Sequence, residues 1–351
     1  MRVAFFSLLT FDIVGGLQTY NKKFLKALES NSIDYIVISF HDKQKCQNNN
    51  TICCNSNIFK FIYYIYKYRD FADISVWGHI NLSPFLFLNK LFSKSKNILL
   101  THGVEVWPTD LSLLKKLALK KGYDRVFTVS NFTKNSLITT HKVPKEKIGI
   151  LQNSIILSHY RKDRKNPYNS QKFNILTILR LDESIKLKSV TNVLDAMLKI
   201  EDKDIHFTII GKGNKEEYIK DEIKRRGLSN QVDMLGFVED LSSYLEHCDI
   251  FSLISDREGF GIVYLEAMAY EKPCISAKNC GSSDVVIDGY NGYSVELDDI
   301  NDLVDKISDL KLNKKRREEF GKSGYKLLVE RFTFEKFIEN QKELLKNCLI
   351  S

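Results

Sequence analysis

The stretch IFSLISDREGFGIVYLEAM, residues 250–268, joins two apolar runs through a glycine-rich turn. The first run has the length and β-branched content of a buried strand, and the second predicts a helix. Gly259 and Gly261 allow the sharp turn between them. A strand that enters a helix through such a turn is typical of a doubly wound α/β domain, and here two carboxylates, Glu258 and Glu266, flank the turn.

Short apolar runs alternate with helical patterns twice along the 351 residues. The first series begins at RVAFFS (2–7), and the second begins at FNILTILRL (173–181), after a polar stretch at 158–172 with the composition of a linker. We therefore predict an α/β protein of two Rossmann-like doubly wound domains facing each other across a cleft. The predicted division is residues 1–165, residues 166–333, and a last helix at 334–351 that crosses back to the first domain.

Composition narrows the class of protein. Apolar residues make up 43% and charged residues 27%, as in a globular chain. The net charge of +8 suits an anionic small molecule or an acidic membrane surface, but the dense Lys/Arg tracts of a nucleic-acid binder are missing. Seven cysteines without a CxxC pair favour a reducing cytoplasm. No apolar stretch reaches the ~18 residues of a membrane span, and the N-terminus is interpreted as a buried strand.

Two glycine loops follow predicted strands. Gly15 and Gly16 leave room for backbone amides to approach an anion, although a plain tight turn remains an equal alternative. The loop GKGNKE begins at Gly211 and resembles part of a dinucleotide fingerprint. Because Glu216 occupies the third glycine position, a nicotinamide site is disfavoured.

A DxD pattern at Asp202 and Asp204 precedes a strand, and we interpret it as a charged turn rather than a metal site. Without a metal, a diphosphate would have to be neutralised by cations. Arg180 follows a buried strand and Lys188 precedes a helix, so this pair fits that task. Two solvated surface cations remain the alternative.

The carboxylate pair around the glycine turn suits a ligand that carries an anionic group and vicinal hydroxyls. A helix beginning near Ile262 presents first-turn amides that favour an anion. Glu266 lies about one turn into the helix, where it can accept hydrogen bonds from vicinal hydroxyls such as those of a ribose. Glu258 precedes the turn and faces the place where a second polyol would bind. Solvated carboxylates are the alternative, which the surrounding apolar and glycine residues make less favourable.

These residues resemble the C-terminal domain of the family 4 glycosyltransferases, also called glycosyl transferases group 1, which have the GT-B fold. The most specific element is E-x7-E, present as Glu258 and Glu266. LRLDESIKLKSV resembles the family's Arg-Leu followed by Lys-Gly, with Ser189 in place of the glycine, and IIGKG and DGYNGY resemble two further family turns. The N-terminal half agrees more loosely through GGLQTY, THGVE, VSNFTKNSL and LQNSI.

The resemblance implies a retaining transfer of a sugar from a UDP- or GDP-type donor, without a metal or other cofactor. Arg180 and Lys188 would stabilise the leaving diphosphate, Glu266 would hold the ribose, and Glu258 would hold a hydroxyl of the transferred sugar. His102, in THGVE, matches a histidine near the reacting sugar. The residues that the resemblance places at the donor are Gly15, Gly16, Gly211, Gly259, Phe260, Gly261, Ile262, Val263 and Glu266.

Two departures from the family pattern are visible. Its Gly-Gly-x-Pro-Glu segment is CGSSD here, residues 280–284, which leaves the donor sugar open. Glu271 stands where the family often has a glycine, and this change is expected to alter only a helix end.

Two segments raise the question of a membrane. Residues 58–71 contain seven aromatic residues among fourteen, and residues 111–125 contain four lysines. Both could rest on an acidic bilayer. We favour a buried helix for the first segment, and an exposed amphipathic helix is an equal alternative for the second. The lysines are Lys115, Lys116, Lys120 and Lys121.

The leading prediction is a cytoplasmic glycosyltransferase, with peripheral contact to an anionic membrane left open and no nucleic-acid partner. Its acceptor would be a saccharide or a polyprenyl-linked saccharide, in the synthesis of a bacterial surface polysaccharide such as lipopolysaccharide, O-antigen or capsule, or of a glycolipid. Another GT-B activity, such as a sugar-nucleotide epimerase or a phosphorylase, is one alternative. A non-catalytic sugar-nucleotide binding protein is another.

Overall fold

The computed structural model describes residues 1–12, 15–43, 50–160, 164–168, 171–182, 187–255 and 257–350. The chain forms two compact units. The N-terminal unit is Met1–Asn153 with Phe334–Ser351, and the C-terminal unit is Ser154–Thr333. Parts of the predicted 158–172 linker, and Asp256 in the opening stretch, lie outside the described residues.

The division falls between Asn153 and Ser154, ahead of the predicted boundary at 165/166. The reason is a backbone connection that the polar composition did not indicate. The N–H of Ile155 donates to the carbonyl oxygen of Phe332 at 2.9 Å, and Ile155 forms a parallel bridge with Thr333. The chain is thereby tied to the C-terminal unit before the polar stretch begins.

The N-terminal unit contains a seven-stranded parallel sheet with the order β3-β2-β1-β4-β5-β6-β7. Its strands are β1 (Arg2–Ser7), β2 (Asp34–Ser39), β3 (Thr51–Cys53), β4 (Ile74–Trp77), β5 (Lys96–Thr101), β6 (Arg125–Thr128) and β7 (Ile148–Ile150). Its helices are α1 (Gly16–Ser30), α2 (Ile58–Lys67), α3 (Ser83–Phe92), α4 (Leu113–Leu117) and α5 (Asn131–Thr139). The strand order reverses at β1, as in a doubly wound fold.

The last helix of the chain, α12 (Phe334–Ile350), packs against α1 in the N-terminal unit. Its Gln341 is buried and donates Nε2 to the carbonyl oxygen of Phe24 at 2.7 Å. The ring of Phe337 meets that of Tyr20 edge to face, with centroids 5.6 Å apart. These contacts assign the end of the chain to the N-terminal unit.

The C-terminal unit contains a six-stranded parallel sheet with the order β10-β9-β8-β11-β12-β13. Its strands are β8 (Phe173–Ile178), β9 (Ile205–Ile210), β10 (Val232–Gly236), β11 (Ile250–Leu253), β12 (Cys274–Ala277) and β13 (Gly292–Val295). Its helices are α6 (Lys188–Ile200), α7 (Glu216–Arg225), α8 (Ser242–His247), α9 (Ile262–Ala269), α10 (Ile300–Leu312) and α11 (Lys314–Arg331). The prediction of two doubly wound α/β units is confirmed.

The aromatic segment is not the buried helix that we favoured. Helix α2 buries only Phe61 and Ile65, while Phe59, Tyr63 and Tyr66 are 82%, 56% and 47% exposed. The helix is strongly apolar, but only one of its faces packs against the sheet. That prediction was wrong because composition does not tell which side of a helix is covered.

The lysine-rich segment also differs from the single amphipathic helix considered for it. Helix α4 has five residues and continues as a π-helical turn at Ala118–Gly122. Lys115 and Lys116 are partly buried, whereas Leu113 is 84% exposed. Among the described residues, no helix is long and apolar enough to span a bilayer.

Candidate active site

The loops that carry the predicted donor residues start at one edge of the C-terminal sheet. Strands β8, β9, β11 and β12 are parallel, and their carboxyl ends therefore lie at the same edge. The residues that follow these ends include Arg180, Gly211, Glu258 and Gly281. The sheet thus brings to one edge residues that are far apart in sequence, from Arg180 to Gly281.

The glycine turn after β9 packs directly on the backbone after β8. An added Cβ at Gly211 would lie 1.7 Å from the carbonyl oxygen of Leu179, and one at Gly213 would lie 2.0 Å from that of Leu181. Gly211 has a φ of +147°, which L side chains rarely adopt. Its amide donates to the carbonyl oxygen of Gly236 at 2.7 Å. The glycines are therefore required by the fold of this turn, independently of any ligand.

Arg180 and Lys188 each contact a carboxylate. The guanidinium of Arg180, whose side chain is 79% exposed, forms an ion pair with Asp182. Lys188 begins α6, and its Nζ lies 2.8 and 2.9 Å from the two carboxylate oxygens of Asp298. An anion that bound to either cation would have to compete with the aspartate already there. The sequence reasoning missed these counter-charges.

A cavity of about 290 Å³ opens beside Lys188. It is lined by Leu187, Lys188, Thr191, Lys215 and Tyr218. Two ammonium groups next to a tyrosine ring and a leucine give this cavity a positive rim with an apolar wall.

The turn between β11 and α9 is fixed by close backbone contact. Gly261, the N-cap of α9, has a φ of +86°, and an added Cβ would lie 2.4 Å from the ring of Tyr264. Gly281 meets the same turn from the next loop, since its Cβ would lie 1.9 Å from the carbonyl oxygen of Gly259. The amide of Gly281 donates to the carbonyl oxygen of Glu258 at 2.8 Å. Segment 280–284 therefore packs against the Glu258 turn and holds its backbone in place.

Glu258 and Glu266 are both partly exposed. Tyr264 and Leu265 between them are fully buried, and the first-turn residues Ile262 and Val263 are partly exposed. Because α9 starts here, its first amides have no partner within the helix and carry its positive dipole end. Two partly exposed carboxylates thus flank the helix end that carries these amides.

Tyr160 is a contact that the sequence did not indicate. Its hydroxyl donates to Oε1 of Glu266 at 3.1 Å, and its ring meets that of Tyr270 edge to face. Burial, and then the Glu266 carboxylate, raise the pKa of Tyr160, so the hydroxyl stays protonated and remains a donor. One Glu266 oxygen is therefore oriented from behind by a residue outside its helix.

The ring of Phe260 is directed away from the surface. Its side chain is 4% exposed and meets Phe332 edge to face at 5.6 Å. Phe260, which is among the predicted donor-binding residues, could therefore contribute to a donor site only through its backbone.

The first glycine pair lies at the start of α1 in the N-terminal unit. Gly15 is the N-cap in an extended conformation that any residue adopts, and an added Cβ at Gly16 would meet nothing within 4 Å. Neither position needs glycine for backbone geometry. The space at Gly16 is open, which fits close approach of a ligand but does not require one.

His102 follows β5 in the N-terminal unit. Its Nε2 lies 3.1 Å from the carbonyl oxygen of Gly78, which assigns the ring proton to Nε2 and leaves Nδ1 as an acceptor. Its amide donates to Oε1 of Glu105 at 2.5 Å, and its ring contacts Tyr20 edge to face at 5.0 Å. Burial lowers the pKa of His102 to about 4, so the ring is neutral at physiological pH.

Further polar groups at this edge were missed by the sequence reasoning. His79 follows β4, and its Nδ1 accepts from the amide of Asn81 at 3.1 Å. Burial lowers the pKa of His79, the neighbouring Glu105 opposes this, and His102 and Lys115 add to it. Ser7 Oγ and Asn21 Oδ1 are buried without a hydrogen-bond partner in the part of the chain that the structure describes. In the sequence, only the position of His79 after a predicted strand could have indicated this group of side chains.

The lysines predicted for the acceptor or membrane side fall into two pairs. Lys115 and Lys116 lie on α4 and are partly buried, and Lys115 acts electrostatically on His79. Lys120 and Lys121 lie on the π-helical turn and are exposed.

The DxD pattern is a salt-bridged turn before β9. Asp202 forms an ion pair with Lys311, which lowers the pKa of that carboxyl, and Asp204 lies 3.1 Å from Nζ of Lys172. Among the described residues, no group of three or more His, Cys, Asp or Glu side chains could hold a metal ion.

The Asp-Gly-x-Asn-Gly turn before β13 also has a structural explanation. The buried Asn291 accepts from the amide of Ile287 at 2.7 Å and donates to the carbonyl oxygen of Val285 at 2.9 Å. Asp288 accepts from the amide of Ser294 at 2.9 Å. An added Cβ at Gly292 would lie 1.9 Å from the carbonyl oxygen of Cys274. The motif holds a turn and positions no group at the candidate site.

The sequence is similar to those of known glycosyltransferases. Residues 160–327 match the family described as glycosyl transferases group 1. An uncharacterized glycosyltransferase of Methanocaldococcus jannaschii is 27% identical over 354 residues, which cover 93% of each chain. The poly(ribitol-phosphate) alpha-N-acetylglucosaminyltransferase of Staphylococcus aureus is 27% identical over 217 residues, 62% of this chain and 38% of that one.

The fold has close counterparts among solved structures. The crystal structure of Anabaena HepE in complex with UDP superposes with a TM-score of 0.85 at 17% identity, over 99% of this chain and 100% of that chain. The family match covers the segment that holds both glutamates and the glycine turns. The C-terminal unit is therefore similar to the glycosyl transferases group 1, and the chain is a glycosyltransferase with the GT-B fold.

Proposed function

We propose that this glycosyltransferase moves a sugar from a nucleotide-sugar donor to a saccharide or lipid-linked saccharide acceptor, with retention and without a metal. The proposed pathway class is synthesis of a bacterial surface polysaccharide or glycolipid. Two relatives support that class by their names, the poly(ribitol-phosphate) transferase above and a capsular polysaccharide biosynthesis glycosyltransferase of Staphylococcus aureus. The proposed location is the cytoplasm, at the inner face of its membrane.

The observation that carries the proposal is the segment 258–266. Two partly exposed carboxylates, Glu258 and Glu266, flank the first turn of α9, and close packing at Gly261 and Gly281 fixes the backbone before it. The amides of Gly261, Ile262 and Val263 suit a phosphate or ribose oxygen. Glu266 accepts hydrogen bonds from the ribose hydroxyls, and Glu258 accepts one from a hydroxyl of the transferred sugar.

The leaving diphosphate gains charge as the glycosidic bond breaks, so cations fixed near it lower the barrier. Arg180 and Lys188 supply this charge once the diphosphate has displaced Asp182 and Asp298 from them. Arg180 offers a planar fork and Lys188 a point charge. In this scheme the two cations do the work that a divalent metal does elsewhere, and the carboxylates of the DxD turn take no part because lysines already neutralise them.

His102 is proposed to stand near the reacting sugar in its neutral form. With the proton on Nε2, the lone pair of Nδ1 can accept a hydrogen bond from a sugar hydroxyl. The acceptor attacks from the face that the diphosphate leaves, and a leaving-group oxygen takes its proton. This route requires no side chain as nucleophile.

A ligand screen tests the donor class directly. Thermal shifts are measured with UDP, GDP and other nucleoside diphosphates and with their sugar conjugates, because a ligand that binds the native state raises the melting temperature. We expect one base to dominate, and we expect its shift to survive EDTA. Absence of any shift across the panel, or loss of transfer in EDTA, contradicts the proposal.

Replacing Glu258 by Ala tests the role of the carboxylate pair. We expect kcat to fall by about 100-fold or more, since a hydrogen bond that strengthens in the transition state is lost, while affinity for the nucleoside diphosphate changes little. Glu318→Ala, an exposed carboxylate on α11, is the matched control and should retain activity. Equal losses of turnover and nucleotide affinity in Glu258→Ala would contradict the assigned role.

A further inference from the structure

We propose that the outer surface of helices α2, α3 and α4 in the N-terminal unit is a docking surface for an anionic lipid bilayer. The proposal rests on exposed side chains and charges of these helices and does not depend on the donor site. It would keep the enzyme at the membrane where a lipid-linked acceptor is found.

The three helices cover one face of the N-terminal sheet. Phe61 and Ile65 of α2, Leu86 of α3, and Ala118 and Leu119 after α4 belong to one buried cluster that also contains Trp77 and Leu99 of the sheet. Since the buried sides of these helices meet the same sheet face, their opposite sides all point away from it.

Those opposite sides are unusually apolar. On α2, Phe59, Tyr63 and Tyr66 recur at spacings of four and three, so they form one stripe along the helix. The ring of Tyr66 meets that of Phe92 on α3 edge to face at 5.4 Å, and the adjacent Leu91 is 75% exposed. The stripe therefore continues from one helix to the next.

Helix α4 extends the same surface. It packs beside α3, and Nζ of Lys90 on α3 donates to the carbonyl oxygen of Gly122 at 2.7 Å. Leu113, Leu114 and Leu117 are 84%, 40% and 43% exposed. Single exposed apolar residues are ordinary, but exposed apolar residues on three helices that pack beside one another indicate an interaction surface.

The charge of the surface selects its partner. Segments 57–94 and 111–122 contain nine lysines and arginines and two aspartates. Two of the cations lie against tyrosine rings. Arg69 lies over Tyr66 at 4.1 Å, and Lys67 lies 5.7 Å from the centroid of Tyr64. Aromatic rings with basic side chains beside them suit the headgroup region, where anionic lipids attract the charge and the rings enter the interface.

A second copy of this chain fits the surface less well. A two-fold dimer would place the same basic segments of both copies against each other, and like charges repel. Lysine is also depleted at the cores of protein interfaces. We therefore assign the surface to a bilayer and treat self-association as an outcome that the test can reveal.

The test uses the full chain and sedimentation with vesicles of phosphatidylcholine, with and without phosphatidylglycerol. We expect binding to the anionic vesicles that weakens with salt, because surface charges are screened. Phe59→Ser and Leu91→Ser should each lower the partition coefficient roughly tenfold. Lys120→Gln with Lys121→Gln should lower binding to anionic vesicles by about fivefold for each charge.

Leu312→Ser is the matched control, because Leu312 is 85% exposed on α10 in the other unit. It should leave vesicle binding unchanged, and all variants should keep the melting temperature and the donor hydrolysis of the parent. The proposal is overturned if the parent chain ignores anionic vesicles, or if Leu312→Ser loses as much binding as Leu91→Ser. It is also overturned if light scattering finds a dimer that Phe59→Ser dissociates. Vesicle binding needs no donor, so failure of the transfer reaction would leave this result unaffected.

Discussion

At the edge where the strands of the C-terminal sheet end, the backbones of neighbouring loops pack directly against one another. Added Cβ atoms at Gly211, Gly213 and Gly281 would lie 1.7, 2.0 and 1.9 Å from backbone atoms of neighbouring loops. The corresponding edge of the N-terminal sheet is made of side chains such as His79, His102 and Glu105, and Gly16 there has open space around it. A site built from backbone is locked by its glycines, whereas one built from side chains can change with its ligand.

The largest expected effect tests this difference directly. Gly211→Ala should lower the free energy of unfolding by about 3 kcal/mol or more, because the new methyl group overlaps the Leu179 carbonyl and the φ of +147° is strained. Gly16→Ala should change it by less than about 1 kcal/mol, since Ala suits a helix and meets no atom. Urea unfolding of both variants is the measurement. Similar stabilities for the two variants would break the comparison.

This contrast explains what could be predicted from sequence. The strands and the turns at 211–213 and 259–261 were predictable because buried apolar runs and obligatory glycines leave local signals. Tyr160 was missed because its contact with Glu266 joins residues 106 positions apart. The exposed face of α2 was missed for a related reason, since burial depends on what tertiary packing leaves uncovered.

The side-chain edge should respond to pH. The pKa of His102 is lowered from its ordinary 6.5 to about 4, so below pH 6.5 the unfolded chain binds a proton that the native chain does not. The native state should therefore lose stability as pH falls from 6.5 to 4, by about 3 kcal/mol from this group. His102→Asn should remove that part of the slope.

The measurement is urea unfolding at several pH values for the parent chain and His102→Asn. His79 and His141 also have lowered pKa values and remain in both proteins, so the difference between the two curves reports on His102 together with the part of the His79 shift that His102 causes. Parallel curves would show that the native His102 titrates near its ordinary pKa.

At the edge of the C-terminal sheet, removal of a single side-chain hydroxyl should have a smaller effect than the change at His102. Tyr160→Phe removes the donor to Glu266 and should raise the dissociation constant of the preferred nucleoside diphosphate by roughly fivefold, near 1 kcal/mol. If the hydroxyl orients Glu266 toward the ribose, the 2′,3′-dideoxy nucleotide should bind both proteins equally. Calorimetry with both nucleotides separates this role from a general loss of structure, which would weaken both.

The smallest effect on stability is expected from a substitution at the C-terminal end of helix α9. The amide of Lys272 donates to the carbonyl oxygen of Ala267, and that of Glu271 donates to Met268, as in a Schellman motif. Glu271 occupies the left-handed position of this motif with a φ of +57°, where glycine carries no steric cost.

Glu271→Gly should therefore raise the free energy of unfolding by about 0.5–1 kcal/mol, despite the greater freedom of glycine in the unfolded chain. Gly227→Ala is the reciprocal control. Gly227 has a φ of +69° with no atom within 4 Å of an added Cβ, so only backbone strain changes, and stability should fall by about 1 kcal/mol. If Glu271→Gly is destabilising while Gly227→Ala behaves as expected, contacts of the glutamate side chain outweigh its strained backbone. Glutamate would then hold this helix end through its side chain, even where the backbone favours glycine.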